Sequence, residues 1–200
     1  QFPDARLLGT RDVSAEADVC RLFAECDRAL GVLTALVNNA GILDAQMRVD
    51  AMSAARVRRV LDVNVVGPFL CAREAVRRMS TRHGGPGGAI VNVSSGAARL
   101  GSPREYVDYA ASKGALETFT VGLAREVADE GIRVNAVRPG VIHTGIHATG
   151  GEPDRVDRVK AHVPMRRGGQ PEEVAHAICW LLSNGASYIT GTVLDVSGGL

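Results

Sequence analysis

Two hundred residues, 46% of them apolar, suit one soluble domain with a real core, and a formal charge of +1 argues against nucleic acid or a membrane surface as the main partner. No apolar run approaches the ~20 residues of a membrane span, and the start as given carries no signal-peptide pattern. Cys20, Cys26, Cys71 and Cys179 show no CxxC spacing, so they read as reduced thiols of a cytosolic (cytoplasmic) protein, not as disulfides or a metal site.

The chain opens mid-pattern, with a short strand expected at 5–9. A helix should follow to about Leu30, capped by Ser14 or Asp12. Residues 35–41 read as a strand ending in small and amide side chains. Strand, helix and strand make a βαβ unit, and hence a parallel sheet. Helical spacing then runs over 53–80, through Val57, Val60, Leu61, Val65, Phe69, Leu70, Val76 and Met79. Gly67-Pro68 lies inside it. Proline lacks the N–H that would bond the carbonyl of Asn64, so a kink and a freed main-chain oxygen are expected there. That oxygen serves packing alone, or it holds an ordered water near Lys113.

Residues 84–88, Gly-Gly-Pro-Gly-Gly, form a turn before a buried strand at 89–93. A helix carrying Tyr109-Ala-Ala-Ser-Lys113 runs to about Glu130, where Gly131 ends it. Residues 132–138 are the next strand, and Pro139-Gly140 forces an irregular turn through Thr144. Residues 145–169 are glycine-rich, charged and weakly periodic, which predicts a mobile flap with one helix around 154–162. A helix from Pro171 to about Leu182 and a strand at 192–196 complete the pattern.

The chemistry concentrates around Tyr109. Residues four apart on a helix share a face, so its phenol and the Lys113 ammonium project together. A free tyrosine has a pKa near ~10, and a fixed cation beside it lowers that value. A drop of about three units needs roughly 4 kcal/mol, more than one lysine supplies, so a second positive charge such as an oxidised nicotinamide should contribute. Ser94 and Ser95 stand at the carboxyl end of a strand, where open α/β sheets place ligands. A hydroxyl there can hold a substrate oxygen while Tyr109 moves the proton. The competing reading is an exposed Tyr–Lys pair on a helix surface.

Asn38-Asn39-Ala40-Gly41, Asn64, Ser95, Tyr109-x-x-x-Lys113, Asn135-x-x-x-Pro139-Gly140 and the closing Val196-Ser-Gly-Gly199, in this order, resemble the short-chain dehydrogenase/reductase family. The resemblance runs from about Leu7 to the end, and 105–115 and 150–159 resemble a bacterial sugar-dehydrogenase-like branch. It implies a single doubly wound Rossmann domain, α/β with a parallel sheet, binding NAD(H) or NADP(H), the latter slightly favoured. It implies Tyr109 as general acid or base and Lys113 on the nicotinamide ribose. Ser95 would sit on the substrate oxygen, and Asn64 would hold a relay water. Asp12 and Val13 would lie by the adenine, and Asn38, Ala40 and Gly41 by the ribose. Pro139, Gly140, Ile142 and Thr144 would meet the nicotinamide and its carboxamide. For one of Asn38 and Asn39, an amide tying adjacent strands is the better reading. A homotetramer, or a homodimer, is implied as well.

Two departures stand out. The spacing from Ser95 to Tyr109 is one residue longer than usual for the family, which suggests a bulged loop around 99–104 and leaves Ser94 as a lesser candidate. The family's first βαβ unit, with its glycine-rich TGxxxGxG turn against the pyrophosphate, is not in the chain as given. The expectation is a longer polypeptide, with the strand that separates NAD from NADP in the part not included.

The function expected is hydride transfer between a nicotinamide and a small ketone or secondary alcohol, possibly a sugar or polyol. Gly96, Ala97, His143, Ile146 and His147 are candidate substrate lining, under a flap at 143–169. A 3-ketoacyl-carrier-protein reductase is the alternative, and it needs a basic docking patch. Arg56, Arg58, Arg59, Arg73, Arg77 and Arg78 hint at one, but read better as a solvated helix face. A non-catalytic nucleotide-binding scaffold is the alternative of another class.

Overall fold

The computed structural model describes residues 11–200, so the strand expected at 5–9 lies outside the described residues. The elements in order are α1 (Glu16–Leu30), β1 (Ala35–Asn38), α2 (Ala54–Leu61), a π-helical turn (Asp62–Val66), α3 (Gly67–Met79), β2 (Gly88–Val93) and α4 (Ala97–Leu100). Then come α5 (Val107–Val127), β3 (Ile132–Pro139), α6 (Ile146–Thr149), α7 (Arg155–Val159), α8 (Pro171–Leu182) and β4 (Val193–Val196). The strands form one parallel sheet in the order β1-β2-β3-β4. Asn38 pairs with Asn92, Val93 with Val137 and Pro139 with Val196, which sets the carboxyl ends along one edge.

Alternation along the strands builds two cores. Ile90, Ile132 and Val134 face α1, α3 and α5, where Val19, Phe23, Ala75, Met79 and Ala124 complete one cluster. Val91 and Val137 point the other way, onto Val174 and Leu181 of α8. Helices on both faces of a parallel sheet make an α/β Rossmann-type fold, as the βαβ pattern predicts. The glycine turn before β2 works by close backbone approach. Gly87 has φ +80, and a Cβ on it would lie 2.6 Å from the Gly131 carbonyl oxygen.

The long helical pattern over 53–80 divides where Gly67-Pro68 predicts a kink. The helix widens into a π turn, and the Gly67 N–H bonds Asp62 O, five residues back. Pro68 gives no N–H to Asn64. Single π turns of this kind occur frequently at functional sites.

Several local expectations are corrected. The N-cap of α1 is Ala15, because the Ser14 N–H and hydroxyl both donate to Asp12 Oδ1, at 2.9 and 2.7 Å, so both expected caps are spent on each other. The loop expected at 99–104 starts as α4 and then turns through Gly101, Ser102 and Arg104, all at positive φ. The arginines form a solvated face only in part: Arg58, Arg59 and Arg77 are exposed. Arg56 is buried against Asp108, and Arg73, Arg77 and Arg78 converge on buried Glu74. The segment 145–169 carries two short helices and is tied down. Val156 and Val163 are buried, and Arg155 and Arg158 each pair with both Glu105 and Glu152.

Candidate active site

The carboxyl edge of the sheet receives one part of the site from each neighbouring element. β2 ends at Val93, so Ser94 and Ser95 follow at the edge. α5 starts at Val107, which puts Tyr109 in its first turn and Lys113 one turn further. The Ser95 hydroxyl stands close enough to the Tyr109 phenol to act on its titration, and Lys113 Nζ lies 5.6 Å from the Tyr109 ring centroid. Ser94 turns away: its hydroxyl donates to Glu117 Oε1 at 2.7 Å, and Glu117 also accepts both arms of Arg138 at 2.8 Å.

Lys113 is 4% exposed, and its ammonium donates to Val93 O at 2.7 Å. Burial pulls its pKa down to about 8. Burial acts on Tyr109 in the opposite sense and raises the phenol above its ordinary value, against a lowering by Ser95. This corrects the expectation that Lys113 draws the phenol down. In the protein alone, desolvation of a phenolate outweighs what the Ser95 hydroxyl returns.

A stability prediction follows from Lys113. Its folded pKa, about 8, lies below the ordinary 10.5. The unfolded chain therefore binds more protons between those values, and stability rises with pH across that window. Below pH 8 the buried charge costs on the order of 3 kcal/mol. Lys113→Met removes that cost but strips Val93 O of a donor, worth about 1–2 kcal/mol. The variant should be more stable than wild type by about 1–2 kcal/mol at pH 7, and the gain should vanish as pH rises towards 10.5. Denaturant melts at several pH values read this directly. A pH-independent difference would contradict it.

Asn64 is fully buried. Its Nδ2 donates to Ile42 O at 2.8 Å and Ser112 Oγ at 3.0 Å, and its Oδ1 accepts from the Ile42 N–H at 2.8 Å. The side chain thus pins the loop after β1 to the π turn and to α5. Gly41 sits where these parts meet: a Cβ there would lie 3.3 Å from Lys113 Nζ and 3.5 Å from Asn64 Oδ1.

A cavity of about 1050 Å³ opens over this edge. Gly41, Ser95, Gly96, Tyr109 and Lys113 form one wall, and Pro139, Gly140, Ile142, Thr144 and Ile146 form the other. Other predicted residues are not brought to it. The Asp12 carboxylate is occupied by Ser14, and Val13 packs on Gly67. Asn38 Nδ2 donates to Asn92 Oδ1 at 2.8 Å, so it is the amide that ties strands, while Asn39 lines the cavity. Ala40 is exposed beside it. Asn64 frames the site without lining it. The His143 ring lies against Gly168, where a Cβ would meet its Nε2 at 2.7 Å, and His147 reaches the cavity instead.

Some lining residues carried no expectation. Asp44 and Arg59 pair at 2.8 Å, and Arg155 lies over the Tyr106 ring at 5.3 Å. Tyr106 stands one helical turn before Tyr109, so its position was open to the same spacing argument. Arg155 belongs to a weakly periodic segment and had no such signal.

The donor set fits a nicotinamide nucleotide. An ammonium has three donors, and hydroxyls of a ribose suit those that Val93 O does not take. Gly41 leaves room there that any Cβ would fill. The cavity reaches the upper end of ligand-site volumes, enough for a cofactor end and a small substrate together. Among the described residues no three His, Cys, Asp or Glu are grouped to hold a metal ion, and no helix is long and apolar enough to cross a membrane.

A parallel sheet with Ser, Tyr and Lys converging at its carboxyl edge defines a class of oxidoreductase, and known proteins of that class resemble this chain. A family model described as enoyl-(acyl carrier protein) reductase matches residues 3–200. An uncharacterized oxidoreductase of Escherichia coli, YgfF, is 62% identical over 188 residues, covering 94% of this chain and 76% of that protein. Glucose 1-dehydrogenase 2 of Bacillus subtilis is 41% identical over 199 residues, covering 96% and 76%. The solved structure of NAD+-bound xylitol dehydrogenase matches with a TM-score of 0.85 at 32% identity, covering 96% of this chain and 78% of that one. The chain belongs to the short-chain dehydrogenase/reductase family and is an oxidoreductase, as its motifs implied.

Proposed function

We propose that this protein is an NAD(P)-dependent dehydrogenase of small neutral secondary alcohols and ketones, sugars or polyols among them. One observation carries the reading: Ser95, Tyr109 and Lys113 meet at the carboxyl end of β2, inside a cavity wide enough for cofactor and substrate. The Ser95 hydroxyl orients the substrate oxygen. Tyr109 accepts the hydroxyl proton in oxidation or gives it in reduction. Burial keeps the phenol neutral and ready to donate, and a lysine charge 5.6 Å from the ring would favour the phenolate once the proton has left. When bound, the nicotinamide supplies or takes the hydride. Lys113, Asn39 and Gly41 would hold its ribose, and the turn from Pro139 to Thr144 its carboxamide end. Leu43 and Ile146 line the substrate side and exclude water.

The relatives' names, a glucose dehydrogenase and a xylitol dehydrogenase, support the substrate class, and the NAD+ of the latter supports the cofactor. In this reading the chain is one Rossmann domain whose segment 143–169 covers the substrate, working in the cytoplasm. Phe69 stacks on Phe119 at 3.8 Å and stays 49% exposed, with Leu61 and Val66 exposed nearby. That face supports packing of α3 and α5 across a two-fold axis, in a homodimer or homotetramer.

The description of the matching family model favours a second reading, reduction of a carrier-bound acyl group. The charges speak against it: Arg56 is spent on buried Asp108, and Arg73, Arg77 and Arg78 are spent on buried Glu74. The test is turnover by full-length protein, with NAD+ and NADP+ in parallel. Glucose and xylitol serve as substrates, and a 3-ketoacyl thioester with reduced cofactor as competitor. Oxidation of a polyol or sugar is expected. Clear preference for the thioester would favour the second reading.

A further inference from the structure

His147 stands in α6 and lines the cavity, next to Ile146. Its Nε2 lies 2.9 Å from the Ile142 carbonyl oxygen. A carbonyl only accepts, so Nε2 carries the hydrogen. In the neutral ring the other nitrogen, Nδ1, is then an acceptor. Burial first, and then the nearby Arg155, lower the pKa of the ring, against the Ile142 carbonyl and Glu152, and so favour that neutral form.

The charged side chains around the mouth are committed elsewhere. Arg59 pairs with Asp44 at 2.8 Å, and Arg155 pairs with Glu105 at 2.6 Å and Glu152 at 3.0 Å. Lys113 lies deeper, on Val93 O. Among the described residues lining the cavity, these cations are Arg59, Lys113 and Arg155, and each has an acceptor already. An anionic substrate group therefore finds no uncommitted cation, whereas a hydroxyl finds an acceptor at His147.

We propose that His147 is a specificity-determining residue: its Nδ1 accepts a hydrogen bond from a hydroxyl on the carbon next to the reacting one. The preferred substrates are then neutral vicinal diols and α-hydroxy ketones. This rests on the dehydrogenase reading above.

The test is a matched pair, trans-1,2-cyclohexanediol and cyclohexanol, oxidised by full-length wild type, His147→Phe and His147→Asn. Wild type should prefer the diol. His147→Phe should lower kcat/KM for the diol roughly tenfold, as expected for one lost hydrogen bond, and change cyclohexanol by less than about twofold. His147→Asn, whose amide oxygen stands close to the place of Nδ1, should recover most of the loss. A purely structural role would lower both substrates together, so an equal fall overturns the proposal, as does a wild type indifferent to the second hydroxyl. If wild type oxidises neither substrate, nor any alcohol or sugar, the dehydrogenase reading fails as well. Normal cyclohexanol turnover with an unaffected diol removes His147 alone.

Discussion

Tyr109→Phe should lower kcat by roughly 10²–10⁴, the usual range for a lost general acid or base. One oxygen is removed, and the ring keeps its place in the first turn of α5. The Lys113 bond to Val93 O does not involve it, and neither do the Asn64 bonds to Ile42 and Ser112. Cofactor affinity should therefore stay within about twofold, and melting should change little, since surrounding packing is conserved. Steady-state kinetics with a cofactor titration separate these effects. Loss of binding together with turnover would mean that the phenol builds the pocket and does not move the proton. Near-normal turnover would falsify the assignment.

Arg56→Ala should cost about 3–5 kcal/mol of stability, as breaking a buried ion pair does. Arg56 Nε donates to Asp108 Oδ2 at 2.8 Å and Nη2 to Oδ1 at 3.3 Å, while Nη1 reaches Ala45 O at 2.6 Å. The two side chains are 8% and 2% exposed. Burial alone would raise the Asp108 pKa, but Arg56 and the Tyr109 N–H hold it below its ordinary value, so it stays a carboxylate. Without Arg56 that charge is left in the interior between α2 and the first turn of α5. Replacing both partners by apolar residues, Arg56→Met with Asp108→Leu, should recover most of the loss. Denaturant midpoints of the two variants check the pair. A single-variant cost under about 1 kcal/mol would place it among solvated surface pairs.

What the sequence disclosed is what short-range geometry controls. Tyr109 and Lys113 share a face because helical spacing puts them there, and Val91 and Ile90 face opposite cores because strand spacing does. Pro68 marked the break in the helix because its missing N–H is covalent fact. That the break would take the form of a π turn was not visible. The close fit of Gly67 against Val13, which is remote in the chain, was equally out of sight. The Arg56–Asp108 pair joins residues 52 apart with no local pattern. His143 and His147 lie in an irregular turn and a single helical turn, where no period fixes direction, so only the fold separates the one at Gly168 from the one at the cavity. Asn38 and Asn39 are neighbours on a strand end and point to opposite faces. One of the two was expected to tie strands, but which one depended on the register with Asn92.

The most direct test of the central claim is simultaneous measurement of nicotinamide reduction and oxidised product, a ketone from xylitol or a lactone or ketone from glucose, by full-length protein, with Tyr109→Phe alongside. Reduced cofactor and oxidised product appearing one for one in wild type, with the variant binding cofactor but idle, is the result this account predicts. Equal rates in the two proteins, or cofactor bound by wild type without any hydride moved to or from an alcohol, a sugar or a ketone, would contradict it.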